Sequence, residues 1–477
     1  MRFSCGIADM RTEVPDRGST AIISRFIAGL RFEDLTSSER SALRRHLLDT
    51  LGAMIAGAGG APSRIAAQTL AEIEGPGHVP VPGFARTWSR LSAAYLGGAS
   101  AHGLELDDGY RAGSIHPGAP IIPAVLAAAW GEPVDGRTIM TAVAIGYEIS
   151  TRLAEALHPG SRRRGFHNTS IVGVLGAAAA TSALMGLDAR RCEHALGIAA
   201  SSAAGLFAFL HGGGEIKRLH PGFAAREGLF ATLLARNGMS GPAGVIESKD
   251  GFLQAFGDNT RIDQIAQGLE IGRPETLNAE RCYIKPYACC RHIHPAIDAV
   301  LDIVVGEGLD PYQIAAIEVG TYAIAVEHAH GGWGDMPSAQ MNYRFCSATA
   351  ALKQRVTIED FGPSALADPV IAGLCEKVFV IEHPTCESDY PRLRSAHVAI
   401  TTLGGARFER YVDEPLGSTR NPLSDAAVRD KFDALVSPVL GSAPARELCG
   451  RVWHMETMPS IDSLLEASAA RQGEDGV

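Results

Sequence analysis

Apolar positions in the first half of the chain repeat every three to four residues, which predicts α-helices. The stretch Thr36–Gly60 opens with a capping box of Thr36 and Glu39 and stops at a glycine-rich end. Its apolar residues at helical spacing are Leu43, Leu47, Leu51 and Met54. Further helices rich in small residues are predicted at Leu91–Ala101, Ala119–Trp130, Arg137–Leu157, Ser170–Met185, Ala189–Phe209 and Gly222–Asn237. The pattern predicts a large bundle of closely packed helices over residues 17–275.

The pattern changes near Gly272, where alternating β-branched residues predict strands. The strands fall within Gln313–Ala329, Lys377–His383 and Ser395–Val412, the last a hairpin that turns at Gly404-Gly405. Helices are predicted between them at His294–Val305 and Ser338–Ala351. Residues 276–414 therefore read as a small α+β domain. A helix capped by Ser424 or Asp425 follows, and the final residues from Ala469 onward are predicted to fray.

Composition narrows the class of protein. The chain has 477 residues, which predicts two domains, and 46 % of them are apolar. The net charge of −10, without a block of Lys and Arg, argues against a nucleic-acid surface. No apolar run reaches the ~20 residues of a membrane span, and the first 20 residues lack the apolar core of a secretory signal. With nine scattered Cys, these features predict a cytoplasmic protein with reduced thiols.

His-Pro pairs recur in front of predicted helices. Random placement of 16 His and 26 Pro gives roughly one such pair, and the chain has five, at His116, His158, His220, His294 and His383. Proline suits the first helical turn, so each histidine is expected at or just outside a helix N-terminus. Unpaired N–H groups there bind carboxylates and disfavour a protonated imidazole. The pairs at His116, His220 and His294 therefore predict neutral histidines beside an anion, although each could instead serve only as a cap.

Ionisable side chains are concentrated in four segments. These are "HGLELDDGYRAGSIHPG" from His102, "RRRGFHNTS" from Arg162, "HGGGEIKRLHPG" from His211 and "YIKPYACCRHIHPAID" from Tyr283. Cations mixed with one or two acids predict a pocket for a di- or tricarboxylate. Such a pocket also suits enolate chemistry, because removing a proton next to a carboxylate creates a dianion that needs preorganised positive charge.

Each candidate has a structural alternative. Asp107 and Asp108 could cap the chain around Gly109 or pair with Arg111, and Lys217 could be a solvated surface lysine. Lys285 lies where the two predicted domains meet, which is a favoured place for ligands.

Other chemistries fit the motifs less well. Adjacent Cys289 and Cys290 followed by His-x-His lack the spaced ligand pairs of a zinc site and are expected to be packed thiols. No Cys-x-x-Cys supports an iron–sulfur cluster, and no phosphate loop or dinucleotide fingerprint is present. A pyridoxal phosphate Schiff base on Lys285 or Lys217 is disfavoured by the helical layout.

Four motifs in order resemble the MmgE/PrpD family, which contains 2-methylcitrate dehydratase, cis-aconitate decarboxylase and iminodisuccinate epimerase. They are "HGLELDDGYRAGSIHPGAPIIPA", "GFHNTSIVGVLGAAAA", "IKRLHPGFAAREG" and "KPYACCRHIHPAIDA". The resemblance spans nearly the whole chain and ends with "NPLSDAAVRDKF". It implies a mainly α fold, with the helical domain of residues 17–275 completed by residues 415–470 and an α+β lid at 276–414. It also implies a homodimer whose site lies between bundle and lid and uses no metal or organic cofactor.

The resemblance assigns roles by motif. His116 is similar to the family's proposed proton-transfer histidine, and the Asp107-Asp108 pair fits its acidic motif. His167, Lys217 and Lys285 resemble residues that line the pocket and grip carboxylates. The remaining residues expected to bind substrate are His220, Arg291, Glu105, Tyr287 and Arg344.

Two departures concern the acidic motif and the lid. Many members read Asp-Phe-Asp-Asp-Thr where this chain has Glu105 to Gly109. One extra residue also separates the Asp107-Asp108 pair from His116, compared with those members. Tyr343-Arg344 stands where small or apolar residues are common, and Arg344 is expected to add a carboxylate clamp.

The leading hypothesis is a cofactor-independent hydro-lyase that dehydrates a 2-methylcitrate-like hydroxy acid. His116 or a nearby acid takes the α-proton, and Asp107 or Asp108 protonates the departing hydroxyl. Lys217, Lys285, His167 and Arg291 hold the carboxylates. Decarboxylation or epimerisation of a related acid is the alternative within the family. A non-catalytic carboxylate-binding protein and a zinc enzyme are the alternatives outside it.

Overall fold

The structure is a computed structural model that describes residues 18–209, 214–258, 261–326 and 331–470, apart from the side chain of residue 263. Within these residues thirteen helices have eleven residues or more. They are α1 (Ser19–Gly29), α2 (Ser37–Ala58), α3 (Ala61–Ile73), α4 (Arg90–Ala101), α5 (Gly118–Ala129), α6 (Gly136–Leu157), α7 (Gly173–Leu184), α8 (Ala189–Ser201), α9 (Ile216–Arg236), α10 (His294–Gly306), α11 (Tyr343–Lys353), α12 (Asp425–Leu440) and α13 (Ser442–Trp453).

Shorter helical turns connect them. These are Phe32–Asp34, Gly160–Arg163, Asn168–Ile171, Phe252–Phe256, Ile262–Ile265, Asn278–Arg281, Pro311–Gln313, Ala323–Val326, Met336–Gln340, Ile358–Phe361, Pro363–Leu366, Pro369–Cys375, Pro384–Asp389, Met455–Thr457 and Asp462–Ser468. The mainly helical fold with a smaller α+β part, predicted from the sequence, is confirmed. The predicted fraying of the chain end concerns residues that lie, from 471 on, outside those described.

Several local predictions are confirmed in detail. The capping box at Thr36 and Glu39 forms, with the Glu39 N–H donating to the Thr36 hydroxyl at 3.2 Å. Ser424 caps α12 by accepting from the Ala427 N–H. His116 lies just outside the N-terminus of α5 and His294 begins α10, as expected of a His-Pro pair.

Four helix boundaries were predicted wrongly. The helix expected over Ala189–Phe209 ends at Ser201, because Gly205 takes a φ of +128° and the chain turns to pair with another segment. The helix expected from Gly222 begins at Ile216, so the pair His220-Pro221 lies inside α9. The predicted helices Ser170–Met185 and Ser338–Ala351 are each divided into a short and a long piece.

The bundle is held together by close crossings of small residues. Helices α4 and α9 touch at Gly98 and Gly222, where a Cβ on Gly98 would lie 2.7 Å from the Pro221 carbonyl oxygen. Helix α6 packs on α7 in the same way, with a Cβ on Gly146 only 2.9 Å from the Ala180 Cβ. Alanine- and glycine-rich sequence therefore allows the backbones to approach, and the helices that carry site residues become rigid.

The α+β part contains a four-stranded sheet in the order β2-β1-β3-β4. Its strands are β1 (Ile314–Thr321), β2 (Val378–Glu382), β3 (Ala396–Thr402) and β4 (Arg407–Val412). Strands β1 and β2 are parallel, with Ile317 opposite Val378, and the other pairs are antiparallel. The predicted hairpin turn is confirmed between β3 and β4, with Gly405 at a φ of +85°. Helix α10 packs against β3 and β4.

The two parts meet along Tyr283 and its neighbours. The Tyr283 N–H donates to the Gly109 carbonyl at 2.8 Å, and the Gly109 N–H returns a bond of 3.0 Å. Farther along, α12 packs on α2, where Lys431 pairs with Asp49 at 2.5 Å. The domain boundaries expected from the sequence stay a prediction. In the part of the chain that the structure describes, no helix combines the length and apolarity needed to cross a bilayer.

Candidate active site

Glu105 joins the two lysines predicted from the sequence. It follows α4 in a left-handed conformation, with φ at +56°, and its buried carboxylate forms an ion pair with Lys217 of α9. Lys285 donates to the Glu105 carbonyl at 3.0 Å and approaches its carboxylate at 3.3 Å. Burial opposes both charges, yet Lys217 and Lys285 hold the pKa of Glu105 well below its usual range, and the pKa of Lys285 is raised. Both parts of the molecule thus contribute to one buried cluster of charges.

Asp107 is the centre of a second group, two residues farther along. Its Oδ2 lies 2.6 Å from His102 Nδ1 and 3.3 Å from His116 Nδ1, and its Oδ1 lies 3.8 Å from Lys285 Nζ. Burial raises the pKa of the carboxyl, but the His102 and His116 imidazoles reverse this and the pKa ends below its usual range. Asp107 is therefore ionised at neutral pH.

The tautomer of His116 follows from its neighbours. Its Nδ1 lies 2.7 Å from the Asp108 carbonyl oxygen, which can only accept, so Nδ1 carries a hydrogen and Nε2 the lone pair in the neutral ring. Burial lowers its pKa to about 4, against the opposing effect of Asp107 and with further lowering by Lys285. The direction of this shift favours the neutral imidazole that the sequence predicts, and burial is its largest cause.

His167 and His220 form the next layer. Their Nδ1 atoms lie 2.9 Å apart, so one ring donates and the other accepts. The His167 backbone N–H donates to the carbonyl of Gly205, which is the pairing that ends α8 early. The ring of His102 lies 5.0 Å from that of His116 and 6.0 Å from that of His167. His102 therefore connects the two imidazole groups.

Asp108 does not face this cluster. Its carboxylate accepts from the Tyr147 hydroxyl at 2.6 Å and from the Gly118 N–H at 3.0 Å, and it lies 2.8 Å from His46. The side chain thus has a structural role, but at the first turn of α5 rather than around Gly109 or on Arg111. It points into the bundle, away from the cluster of Lys217 and Lys285.

Three other predicted binding residues also lie outside the cluster. Arg291 donates to the carbonyls of Leu416 and Pro415 and to the Ser418 hydroxyl. The Tyr287 hydroxyl donates to Asp298 at 2.6 Å. Arg344 turns toward Glu376 at 3.0 Å and lies over the Trp333 ring, so the expected carboxylate clamp does not form. These side chains support the α+β part instead.

A cavity of about 610 Å³ adjoins the cluster. Glu105, Lys217 and Arg218 form its wall on the bundle side, and Asp335 and Asn342 face them from the α+β part. Lys285 lies one layer deeper, since it contacts Glu105 and is almost fully buried. The ammonium group of Lys217 is thus at the wall of the cavity, whereas Lys285 and the imidazoles around Asp107 are not among the residues that line it.

Among the described residues, His102, Asp107 and His116 form one group whose ligand atoms all lie within 4.8 Å of one another, close enough to share a metal ion. The ammonium of Lys285, 3.8 Å from Asp107, would repel a cation there. The donor set therefore fits an anion better than a metal.

Sequence reasoning missed His102. His102 is the first residue of the ionisable segment "HGLELDDGYRAGSIHPG", but glycine and not proline follows it. The search for His-Pro pairs therefore did not include it. Its bond to Asp107 depends on the turn that brings residue 107 back toward the end of α4.

Two protein-family models match most of the chain. The model of the MmgE/PrpD N-terminal domain matches residues 21–265, and that of the MmgE/PrpD C-terminal domain matches residues 287–455. The chain belongs to the MmgE/PrpD family.

Similar curated proteins cover almost the whole chain. A cis-aconitate decarboxylase-like protein oryM of Aspergillus oryzae is 28 % identical over 94 % of this chain and 97 % of its own length. The cis-aconitate decarboxylase of Aspergillus terreus is 27 % identical over 94 % of this chain and 95 % of its own, and that of Homo sapiens is 24 % identical over 92 % of both. These likenesses support an enzyme.

Proposed function

We propose that this member of the MmgE/PrpD family decarboxylates an unsaturated tricarboxylate of the cis-aconitate type. The observation that carries the proposal is the meeting of Lys217 and Lys285 on Glu105, beside the imidazoles around Asp107. The choice of decarboxylation over the dehydration expected from the sequence rests on the relatives, whose printed names are cis-aconitate decarboxylases.

The chemistry needs positive charge and one proton. When the CH₂–COO⁻ arm of cis-aconitate loses carbon dioxide, the electron pair of the broken bond forms a new C=C with the central carbon. The original double bond then places its pair on the carbon next to another carboxylate, which becomes an enediolate. Protonation of that carbon gives an unsaturated dicarboxylate. Ammonium groups beside the enediolate lower the barrier because they are already oriented toward the developing charge.

The residues of the cluster take the following roles in this proposal. Lys217 and Lys285 bind carboxylates with the N–H groups that Glu105 does not occupy. A bound trianion raises the proton affinity of His116, which then delivers a proton from Nε2 to the carbanion. Asp107 is the counter-ion of the imidazolium that forms.

The two acids considered for dehydration fit that reaction poorly. Asp107 has a lowered pKa and carries no proton to give to a departing hydroxyl, and Asp108 points into the bundle. Dehydration stays a prediction, and the assay below would reveal it.

The test is incubation with cis-aconitate and with a panel of hydroxy di- and tricarboxylates, in D₂O with a chelator present, followed by NMR. We expect release of carbon dioxide from cis-aconitate and one solvent deuterium in the product. Formation of an alkene from a hydroxy acid, or deuterium exchange without loss of carbon, would contradict decarboxylation and support the alternatives. Lys217→Met should abolish turnover, whereas Lys353→Met, which alters an ion pair with Asp368 away from the cavity, should not.

We also propose, from the family resemblance, that the enzyme needs no metal or organic cofactor and acts as a homodimer on a small carboxylate. Full activity after dialysis against chelator supports the first point, and mass photometry of the purified protein tests the second.

A further inference from the structure

A second cavity, of about 240 Å³, lies on the other side of the Gly109–Tyr283 pairing. It is separate from the cavity that Glu105 and Lys217 line, because the two share no wall residue. Its wall has one acid, Glu414, and five arginines, which are Arg111, Arg281, Arg291, Arg394 and Arg420.

Only part of this positive charge is neutralised. Glu414 lies 3.1 Å from Arg111 and 4.0 Å from Arg420, so one carboxylate serves two guanidinium groups. Arg420 also approaches Asp413 at 3.6 Å. Arg420 is 64 % exposed and lies at the rim of the cavity, whereas Glu414 is buried.

Three arginines of the wall, Arg281, Arg291 and Arg394, have no acidic partner within 4 Å in the part of the chain that the structure describes. Arg291 is buried, Arg394 is half-buried and Arg281 is exposed. Arg291 donates to the carbonyls of Leu416 and Pro415, to the Ser418 hydroxyl and to His294 Nδ1, and burial lowers its pKa to about 10. Arg281 donates to the Asn278 side-chain oxygen at 3.0 Å. The Nε of Arg394 is buried and has no hydrogen-bond partner among the described residues. A buried cation such as Arg291 is costly when no carboxylate contacts it, and an oxyanion in the cavity would relieve that cost.

The size of the cavity restricts the ligand. Its volume corresponds to about eight water molecules. Guanidinium groups bind carboxylates and phosphates in a bidentate manner, and several of them favour more than one negative charge. A small multiply charged oxyanion fits both the volume and the donors.

Several residues of the cavity wall are close in sequence to residues of the candidate active site. Tyr110, Arg111 and Ala112 belong to the segment between Asp108 and His116, and Tyr283 lies two residues before Lys285. The Tyr110 N–H donates to the Ile115 carbonyl at 2.8 Å, next to His116. An anion held by these arginines would therefore restrain the loop that orients His116.

We propose that this arginine-lined cavity is a second binding site, for a small di- or tricarboxylate or phosphate, and that its occupation rigidifies the loop of residues 109–116. The proposal does not depend on which reaction the active site performs, since it concerns binding and loop protection.

The test uses the full-length protein with Lys217→Met, which weakens carboxylate binding at the active site. Inorganic phosphate and, separately, the unreactive propane-1,2,3-tricarboxylate are titrated at constant ionic strength by calorimetry, with hydrogen exchange measured on the same samples. We expect one site and slower exchange in residues 109–116, with Kd weakened at least tenfold by adding Arg394→Gln. Arg392→Gln, a 71 % exposed arginine two residues away and outside the cavity, is the matched control.

Arg420→Gln supplies a second variant at the exposed rim, in case Arg394→Gln does not fold, and should also weaken binding. Binding of either anion supports the site and identifies its ligand class. Binding that neither variant weakens, protection confined to residues 214–218, or no binding of either anion would overturn the proposal.

Discussion

The ionisation of His116 depends on the groups that surround its ring in the folded protein. The sequence places the ring in front of α5, and this argument alone predicts a neutral imidazole. In the folded protein burial is the larger cause, Asp107 opposes it, and the pKa falls to about 4. The Nδ1 bond to the Asp108 carbonyl leaves Nε2 as the nitrogen available for the proton transfer that we propose.

Replacing His116 should stop the chemistry and leave the fold intact. We expect His116→Gln to lower kcat by about 10²–10⁴-fold, the usual contribution of a positioned acid or base. Circular dichroism and the thermal midpoint should be unchanged. His383→Gln, at another His-Pro pair that caps a turn of the α+β part, should keep full activity. Equal losses in both variants would contradict a proton-transfer role for His116.

The pH dependence of the reaction has a defined sign. Because the free enzyme holds His116 largely neutral above a pKa of about 4, the protonated form needed to deliver a proton becomes scarcer as pH rises. We expect kcat/KM for cis-aconitate to fall by about tenfold per pH unit between pH 5 and 8. A flat profile over this range, measured by initial rates, would show that another group supplies the proton.

Glu105 connects the two lysines, and its charge matters more than its shape. Glu105→Gln keeps the size of the side chain but leaves Lys285 buried without its nearest carboxylate. Breaking a buried pair of this kind costs about 3–5 kcal/mol in the free energy of unfolding. Urea unfolding would measure the loss. Glu409→Gln, which removes an exposed pair with Arg407, should leave the midpoint where it is.

Gly109 explains one departure from the family pattern. A Cβ there would lie 2.3 Å from the Tyr283 hydroxyl, so a threonine does not fit beside this tyrosine. The two positions pair across the junction, which makes them interdependent.

At the scale of elements, the crossing of α4 and α9 positions Lys217 and His220. A Cβ on Gly222 would lie 2.5 Å from the Tyr95 carbonyl oxygen, which is backbone of the facing helix. The helices can therefore approach only with glycine at this position.

Gly222→Ala should separate these helices. We expect a loss of about 1–3 kcal/mol in the free energy of unfolding, the usual cost of overpacking, together with a higher KM because Lys217 moves with α9. Urea unfolding and steady-state kinetics measure the two effects. Gly29→Ala, at the end of α1 with no atom within 4 Å of the added Cβ, is the control and should change neither. A stable variant with unchanged KM would show that the crossing does not position the lysine.

At the scale of the whole molecule, several histidines are buried in the neutral form. The pKa values of His116, His158 and His220 are lowered to about 4, and those of His167 and His294 are also lowered, in each case chiefly by burial. Since an unfolded chain titrates its histidines near pH 6.5, it binds more protons than the native state between pH 4 and 6.5.

The native state should therefore lose stability as pH falls through this window. Each histidine contributes a slope of up to about 1.4 kcal/mol per pH unit. Burial raises the pKa of Asp49 to about 6, so this carboxyl binds a proton more readily in the native state than in the unfolded chain. Its protonation stabilises the native state as pH falls and offsets the effect of about one histidine. Urea unfolding at pH 7.5, 6.5, 5.5 and 4.5 measures the net change in the free energy of unfolding from the histidines and Asp49 together. His220→Gln should reduce the slope and the exposed His454→Gln should not, whereas a stability independent of pH would contradict burial of neutral imidazoles.

The sequence by itself determined much of the local structure and the residue types that form the candidate site. Helical periodicity, the capping box at Thr36 and the hairpin glycines act over a few residues, so composition and spacing suffice to predict them. The motifs likewise assigned His116, His167, Lys217 and Lys285 to one site, because a motif identifies the ionisable residue types without knowledge of the fold.

Only the tertiary structure decided which side chains join the charged cluster at the candidate site. Asp107 and Asp108 are neighbours in the chain, yet one contacts the lysine cluster and the other caps α5 from within the bundle. The same holds for Arg344, which meets Glu376, and for His102, which meets Asp107. The direction of a side chain depends on the path of the backbone and on partners tens or hundreds of residues away. A local sequence pattern specifies neither of these, so it cannot predict the direction.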